Sequence, residues 1–380
     1  MRVLSIFGTR PEAVKMAPVV QRLALTPQIE SHICVTAQHR EMLDQVLHLF
    51  EIKPDVDLNL MQADQGLADL TANIFNSLDP VLREVNPHWI LVQGDTTTVM
   101  AAALCAYYHK IKVGHVEAGL RTDDKYAPFP EEINRRVAGV VADLHFAPTL
   151  HSRQNLLREG VPDWRIKVTG NTVIDALQQI VKSPMPAEVE ELLNSKNVLS
   201  GERLLIAVTA HRRESFGKPF ESICQGLREI AEAYSNKVEL VYPVHLNPNI
   251  QEPAHRILDG ISNITLLQPI EYLPLIHLLK NSKLVLTDSG GIQEEATGLG
   301  VPTLVLREVT ERPEGVEAGV LKLVGTDSER IFQETRHLLE DEDAYLSMAH
   351  AANPFGDGHA AERIVQALLD YQEPDALPSN

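Results

Sequence analysis

At 380 residues, 44% apolar and 5% aromatic, the chain is long for one hydrophobic core and suggests two or three domains of an ordinary α/β kind. A formal net charge of −18 argues against a nucleic-acid or anionic-membrane partner, because such a surface repels phosphates at long range. Cys34, Cys105 and Cys224 lie far apart among apolar residues. They fit no metal or disulfide spacing and read as reduced core thiols of a cytoplasmic protein. The first apolar run, Val3–Phe7, is too short for a secretion signal, and no run approaches membrane-spanning length.

Short β-rich runs then alternate with longer helical patterns from end to end. In the first half the predicted strands are Val3–Phe7, His32–Thr36, Trp89–Val92, Val113–Val116 and Leu144–Phe146. Helical periodicity falls near 12–24, 40–49, 66–84, 97–109, 132–142 and 149–158. Prolines and charges over 183–197 break the rhythm and read as a linker. The pattern restarts with strands at Leu204–Val208, Glu239–Pro243, Ile264–Leu266, Leu284–Thr287, Thr303–Leu306 and Leu321–Val324, and helices near 219–233, 272–281, 291–299 and 327–340. The expected organisation is a first domain over 1–182 and a second over 198–358. A last helical pattern near 359–370 is a candidate to cross back onto the first. Such repetition implies parallel sheets covered on both faces, that is, two doubly wound Rossmann-like domains with ligands at the C-terminal strand ends facing one cleft.

Several strand ends carry residues suited to chemistry. Thr287-Asp288-Ser289-Gly290-Gly291 joins a strand to a helix, and a helix start with two glycines offers free N–H groups to a phosphate. Glu295, further along that helix, is placed to reach ribose hydroxyls. The same residues also suit an ordinary turn with glycine at positive φ. Gly8-Thr9-Arg10-Pro11 sets Arg10 and Lys15 at the end of the first strand, a candidate second anion clamp. Asp95, Glu117 and Glu131 come from three further loops, each also explicable as a helix-capping or first-turn acid. His211, followed by Arg212 and Arg213, is a candidate acid, base or phosphate donor. His245 leaves the next strand in the same way, and Arg312 adds a cation after the strand at Thr303.

In order along the chain, GTRPEAVKMAP, QGDTTT, HVEAGLRT, PFPEEINRR, TAHRRESFG, PVHLNP, TDSGGIQEEA and TERPE closely resemble the bacterial non-hydrolysing UDP-N-acetylglucosamine 2-epimerases. That resemblance implies the two-domain fold these enzymes share with many glycosyltransferases, usually in a homodimer. It implies UDP on the second domain, with Ser289, Gly290 and Gly291 at phosphate, Glu295 at ribose, and Arg10, Lys15 and Arg312 adding positive charge. It assigns catalysis to Asp95, Glu117, Glu131 and His211. Ile270 stands where the family often has glutamine and Leu275 where a bulkier aromatic occurs, which bears on uracil contacts. Gln38, His39, Arg212 and His245 match positions of an effector pocket for a second UDP-sugar.

The expected reaction is reversible inversion of C2 in UDP-N-acetylglucosamine. The C2 proton has no neighbouring carbonyl to acidify it, so the anomeric C–O bond breaks first and charge developing at C1 loosens the proton. UDP leaves a 2-acetamidoglucal and adds back with a proton delivered to the opposite face. The route calls for cations and helix amides on the diphosphate, carboxylates around the ring and exclusion of water. It calls for no cofactor and no metal. A hydrolysing epimerase, a retaining glycosyltransferase on the same plan and a silent UDP-sugar sensor are the alternatives. The three acids argue against the sensor, since binding an anion gains nothing from nearby negative charge.

Overall fold

A computed structural model describes residues 1–36, 40–60 and 65–372. The chain divides into two compact units, Met1–Ala176 with the segment from Gly356 onward, and Leu177–Phe355.

In the first unit the strands are β1 (Arg2–Phe7), β2 (Glu30–Val35), β3 (Val56–Asp57), β4 (Trp89–Gln93), β5 (Lys112–Val116), β6 (Leu144–Ala147) and β7 (Ile166–Val168). They form one parallel sheet in the order β3-β2-β1-β4-β5-β6-β7. The helices are α1 (Arg10–Ala24), α2 (Arg40–Leu49), α3 (Leu67–Val85), α4 (Thr97–Tyr108), α5 (Glu131–Val141), α6 (Leu150–Arg158) and α7 (Thr172–Ile180), which runs across the division between the units. Leu4, Ile6, Ile90 and Val92 are buried in the central strands, where both faces of the sheet are covered. Each such side chain contributes about 1.5–3 kcal/mol by leaving water. The strand order reverses between β1 and β4, and a doubly wound sheet binds ligands at that crossing point. The loops leaving β1 and β4 are the ones that carry Arg10 and Asp95.

The second unit begins with helix α8 (Ala187–Ser195). Its strands are β8 (Leu204–Thr209), β9 (Val238–Pro243), β10 (Ile264–Leu267), β11 (Ser282–Thr287), β12 (Thr303–Val305) and β13 (Leu321–Leu323). They are parallel, in the order β10-β9-β8-β11-β12-β13, so the crossing point lies between β8 and β11. The helices are α9 (Lys218–Ala233), α10 (Pro248–Leu258), α11 (Tyr272–Lys280), α12 (Gly290–Gly298), α13 (Pro313–Glu317), α14 (Ser328–Glu340) and α15 (Glu342–Ala349). Ile206, Val208, Leu284, Leu286, Phe220 and Leu227 are among the buried residues of one core cluster.

Three departures from the sequence reading have local causes. The 183–197 stretch is not an open linker, because Val189 and Leu193 recur at helical spacing, bury one face of α8 and pack it on α11. The division accordingly falls at 176/177 and 355/356 rather than at 182 and 358. Strands β3 and β7 are two and three residues long, too short to show alternation.

Beyond Gly356 lies α16 (Ala360–Leu369), part of the first unit. Asp175 Oδ2 accepts from the Ala360 N–H at 3.2 Å and Oδ1 from the Ala361 N–H at 2.8 Å, so a carboxylate satisfies the positive start of that helix. Arg363 donates to the Thr169 carbonyl at 2.9 Å. Cys34, Cys105 and Cys224 are free and buried, with burial pushing their thiols up to about 12, 11 and 12.

Candidate active site on the strand-end loops

In the first unit Glu117 sits one residue beyond β5, in the left-handed region at φ 62°. A non-glycine residue in that region is held by its surroundings. Here the constraints are polar and buried. Lys15 of α1 places Nζ 2.5 Å from Glu117 Oε1, Asn171 Nδ2 donates to Oε1 at 3.2 Å, and Gln93 donates to Oε2. Three other chain segments thus converge on one carboxylate.

Asp95 leaves β4 at the crossing point, and Arg135 Nη2 donates to its Oδ2 at 2.6 Å. Arg135 is buried on α5, one helical turn beyond Glu131, with Nη1 3.4 Å from Glu132 Oε2. Glu131, half-buried, opens α5 directly after the cis Phe129–Pro130 bond. Behind Asp95, His115 Nε2 is 2.7 Å from the Gly94 carbonyl. Burial drives the His115 pKa down to about 4, so the ring is neutral at pH 7 and donates Nε2–H to that carbonyl.

Arg10 is half-buried at the first position of α1. The loop that carries it is tied to the Asp95 loop by Glu12. Glu12 Oε2 accepts from the Gly8 and Thr9 N–H groups at 2.9 and 2.6 Å, and Oε1 from the Thr96 hydroxyl at 2.7 Å. Burial raises the Glu12 carboxyl above its usual range even against these bonds.

In the second unit Ser289 caps α12 without a side-chain hydrogen bond, so its hydroxyl does not occupy the helix's first N–H groups. The two glycines serve different needs, and neither has positive φ. A Cβ on Gly290 would lie 2.7 Å from Arg312 Nη1, whereas one on Gly291 would meet nothing within 4 Å. Gly290 therefore makes room for the arginine, and Gly291 leaves open space before the helix start. Arg312 is buried and aimed by Glu294 and Glu311, each 2.9 Å from a guanidinium nitrogen. Glu295 is buried on α12.

Asp288, fully buried, accepts the N–H groups of His211 and Arg212 at 2.6 and 2.7 Å. It joins the loop leaving β8 to the turn leaving β11. The His211 ring stacks on His245 with centroids 5.5 Å apart and planes 8° apart. Burial lowers the His211 pKa, opposed by the Asp288 charge and aided by Arg212 and His245. Ile270, half-buried between β10 and α11, lines a cavity of about 710 Å³ with residues of α8 and α11 that does not include the Ser289 turn. Leu275 is half-buried on α11. Gln38 and His39 lie outside the described residues. Among the described residues no group of His, Cys, Asp and Glu is arranged to hold a metal ion.

The sequence reading gave no role to Glu12, Gln93, Arg135, Asn171, Asp288 or Glu294. Only Glu12 carried a local signal, the Thr9-x-x-Glu12 spacing of a capping box. The others act through partners distant in sequence.

Two parallel sheets, with acids and a lysine on one set of strand ends and a glycine turn beside a buried arginine on the other, define a protein of the two-unit α/β Rossmann-like class. The family model of UDP-N-acetylglucosamine 2-epimerase matches residues 21–369, and the chain belongs to that family. It is 56% identical over 374 residues to the UDP-N-acetylglucosamine 2-epimerase of Salmonella typhimurium, covering 98% of this chain and 99% of the relative. The Escherichia coli K12 enzyme of the same name is 55% identical over 370 residues, covering 97% and 98%. Among solved structures, the Neisseria meningitidis UDP-GlcNAc 2-epimerase bound to UDP-GlcNAc superposes with a TM-score of 0.89 at 47% identity, covering 98% of this chain and all of that one.

Proposed function

We propose that this chain interconverts UDP-N-acetylglucosamine and its C2 epimer by expelling UDP and adding it back, the epimerisation for which its family is named. The observation that carries the reading is Gly291: a Cβ there would meet nothing within 4 Å, at the start of a helix whose cap residue makes no side-chain hydrogen bond, in the same turn as Gly290 and buried Arg312. Such a turn suits a diphosphate that departs and returns without diffusing away. Ser289, Gly290, Gly291 and Arg312 hold the diphosphate and Glu295 the ribose, with Ile270 and Leu275 on the uracil side. Arg10 and Lys15 add charge from the first unit.

Asp95, Glu117 and Glu131 supply the proton acceptor and donor for the two faces of C2, and His211 serves the departing phosphate oxygen. Lys15 beside Glu117 favours the carboxylate, the form able to take a proton. In the forward direction the C1–O bond electrons leave with UDP and the C2–H electrons form the C1=C2 bond of the glycal. The base carries the proton away, and the return trip delivers one to the other face.

Incubation with UDP-N-acetylglucosamine in heavy water, followed by NMR, tests this directly. Deuterium is expected at C2 of both epimers, with UDP retained. Release of free N-acetylmannosamine would identify a hydrolysing enzyme instead, and an unlabelled C2 would exclude the proton step.

The same reading extends to regulation and assembly. Arg212 and His245, with Gln38 and His39 by family resemblance alone, are assigned to recognition of a second UDP-sugar that activates the enzyme, which acts as a homodimer in the cytoplasm. No described helix is long and apolar enough to cross a membrane. A reverse-direction assay with neither lag nor stimulation by UDP-N-acetylglucosamine would sink the effector role.

A further inference from the structure

We infer that Asp288 is a positioning residue for His211, holding its ring with Nδ1 protonated so that Nε2 faces the departing diphosphate. The inference rests on the proposed role of His211. Asp288 Oδ2 is occupied by the His211 and Arg212 backbone N–H groups, while Oδ1 lies 3.4 Å from His211 Nδ1. That oxygen is buried and has no hydrogen-bond partner among the described residues. A buried carboxylate oxygen without a donor is costly, and the imidazole N–H is the group placed to supply one.

Three charged or titratable groups face the ring from the elements around it. Asp288 comes from the turn after β11, His245 stacks from the loop after β9, and Arg212 is its own neighbour. Asp288 alone among them favours the imidazolium. A bound diphosphate adds a second negative neighbour, drawing a proton onto Nε2, from which it is donated to the phosphate oxygen as the C1–O bond breaks. The carboxylate and the phosphate turn are adjacent in sequence, so the residue orienting the acid is rigidly joined to the one capping the anion site.

The test compares Asp288→Asn, His211→Asn and the double variant. The asparagine carbonyl still accepts the two backbone N–H groups, but its NH2 faces Nδ1 and imposes the opposite tautomer. Expected for Asp288→Asn are an unchanged melting temperature, UDP affinity within about twofold, and kcat reduced about 100-fold. The pH limb of kcat that reports His211 moves to lower pH, since the charge favouring protonation is gone. The double variant loses no more than His211→Asn alone. Wild-type kcat in Asp288→Asn, losses that multiply in the double variant, or an unmoved limb would overturn the inference. Full activity in His211→Asn would instead overturn the role given to His211. Nitrogen NMR of the wild-type ring provides a check independent of any variant's folding: protonated Nδ1 is expected, and an unprotonated Nδ1 refutes the assignment.

Discussion

Lys15 and Glu117 come from α1 and from the end of β5, and their charged atoms meet at 2.5 Å with side chains only 12% and 5% exposed. A contact so far out of water has consequences for both stability and turnover. Removing one member of a buried pair typically costs about 3–5 kcal/mol, because the other charge loses its counterion without regaining water. Lys15→Met is therefore expected to lower the urea midpoint strongly. Glu117→Gln keeps the shape but deprives Lys15 of its counterion in the same way, so the midpoint is expected to fall as well, while kcat falls about 10²–10⁴-fold. Comparable kcat in wild type and Glu117→Gln would remove Glu117 from the chemistry.

The two glycines at the start of α12 separate space from backbone freedom. Gly291→Ala meets no atom within 4 Å and adds helix propensity, so the fold is expected to gain about 0.5–1 kcal/mol. If a phosphate occupies that space, UDP affinity should fall about tenfold or more, a change of about 1.4 kcal/mol. Calorimetric titration with UDP, read beside a thermal melt, checks both. A variant more stable and equally tight for UDP would move the diphosphate elsewhere.

Asp95 is aimed by Arg135 at 2.6 Å. Arg135→Lys keeps the charge but loses the planar fork. Since misplacement by about 1 Å can cost 10²-fold, kcat is expected to drop by at least about tenfold with KM little changed. Steady-state kinetics would show it, and a pure KM effect would argue that Arg135 serves binding.

His115 and His145 pair across β5 and β6, and burial holds them down to about 4 and about 3. The unfolded chain takes up these protons near 6.5, while the folded protein resists until much lower pH. Their contribution is thus complete above pH 6.5 and lost as pH falls toward 4 and 3. Each histidine should account for on the order of 2 kcal/mol between pH 7 and 5. Urea unfolding of His145→Gln should show a shallower acid slope than wild type; an identical slope would place the proton uptake elsewhere.

Much of this was readable along the chain because the loops at the crossing points, after β1, β4, β8 and β11, are short and dense in unusual residue types. Arg10, Asp95, His211 and Ser289 announce themselves there. What holds them in place does not. Arg135 reaches Asp95 from 40 positions away and Asp288 reaches the His211 amide from 77. No local pattern encodes such pairings, since each is fixed by which strands become neighbours. The helix α10 was missed for a different reason. It contains two prolines, of which Pro248 occupies the first helical position, where no N–H is required, and Pro253 lies inside the helix.

The Asp175 carboxylate on the amides of Ala360 and Ala361 ties the start of α7 to the last helix, with all of the second unit made between them. A ribosome delivers the chain in one direction, so the first sheet emerges before the second unit but lacks α16 until the second unit has been made. The second unit, emerging whole, is free to fold sooner. Of the two units, the one begun first is thus the one completed last, and loss of α16 is felt in a sheet laid down before the second unit was begun.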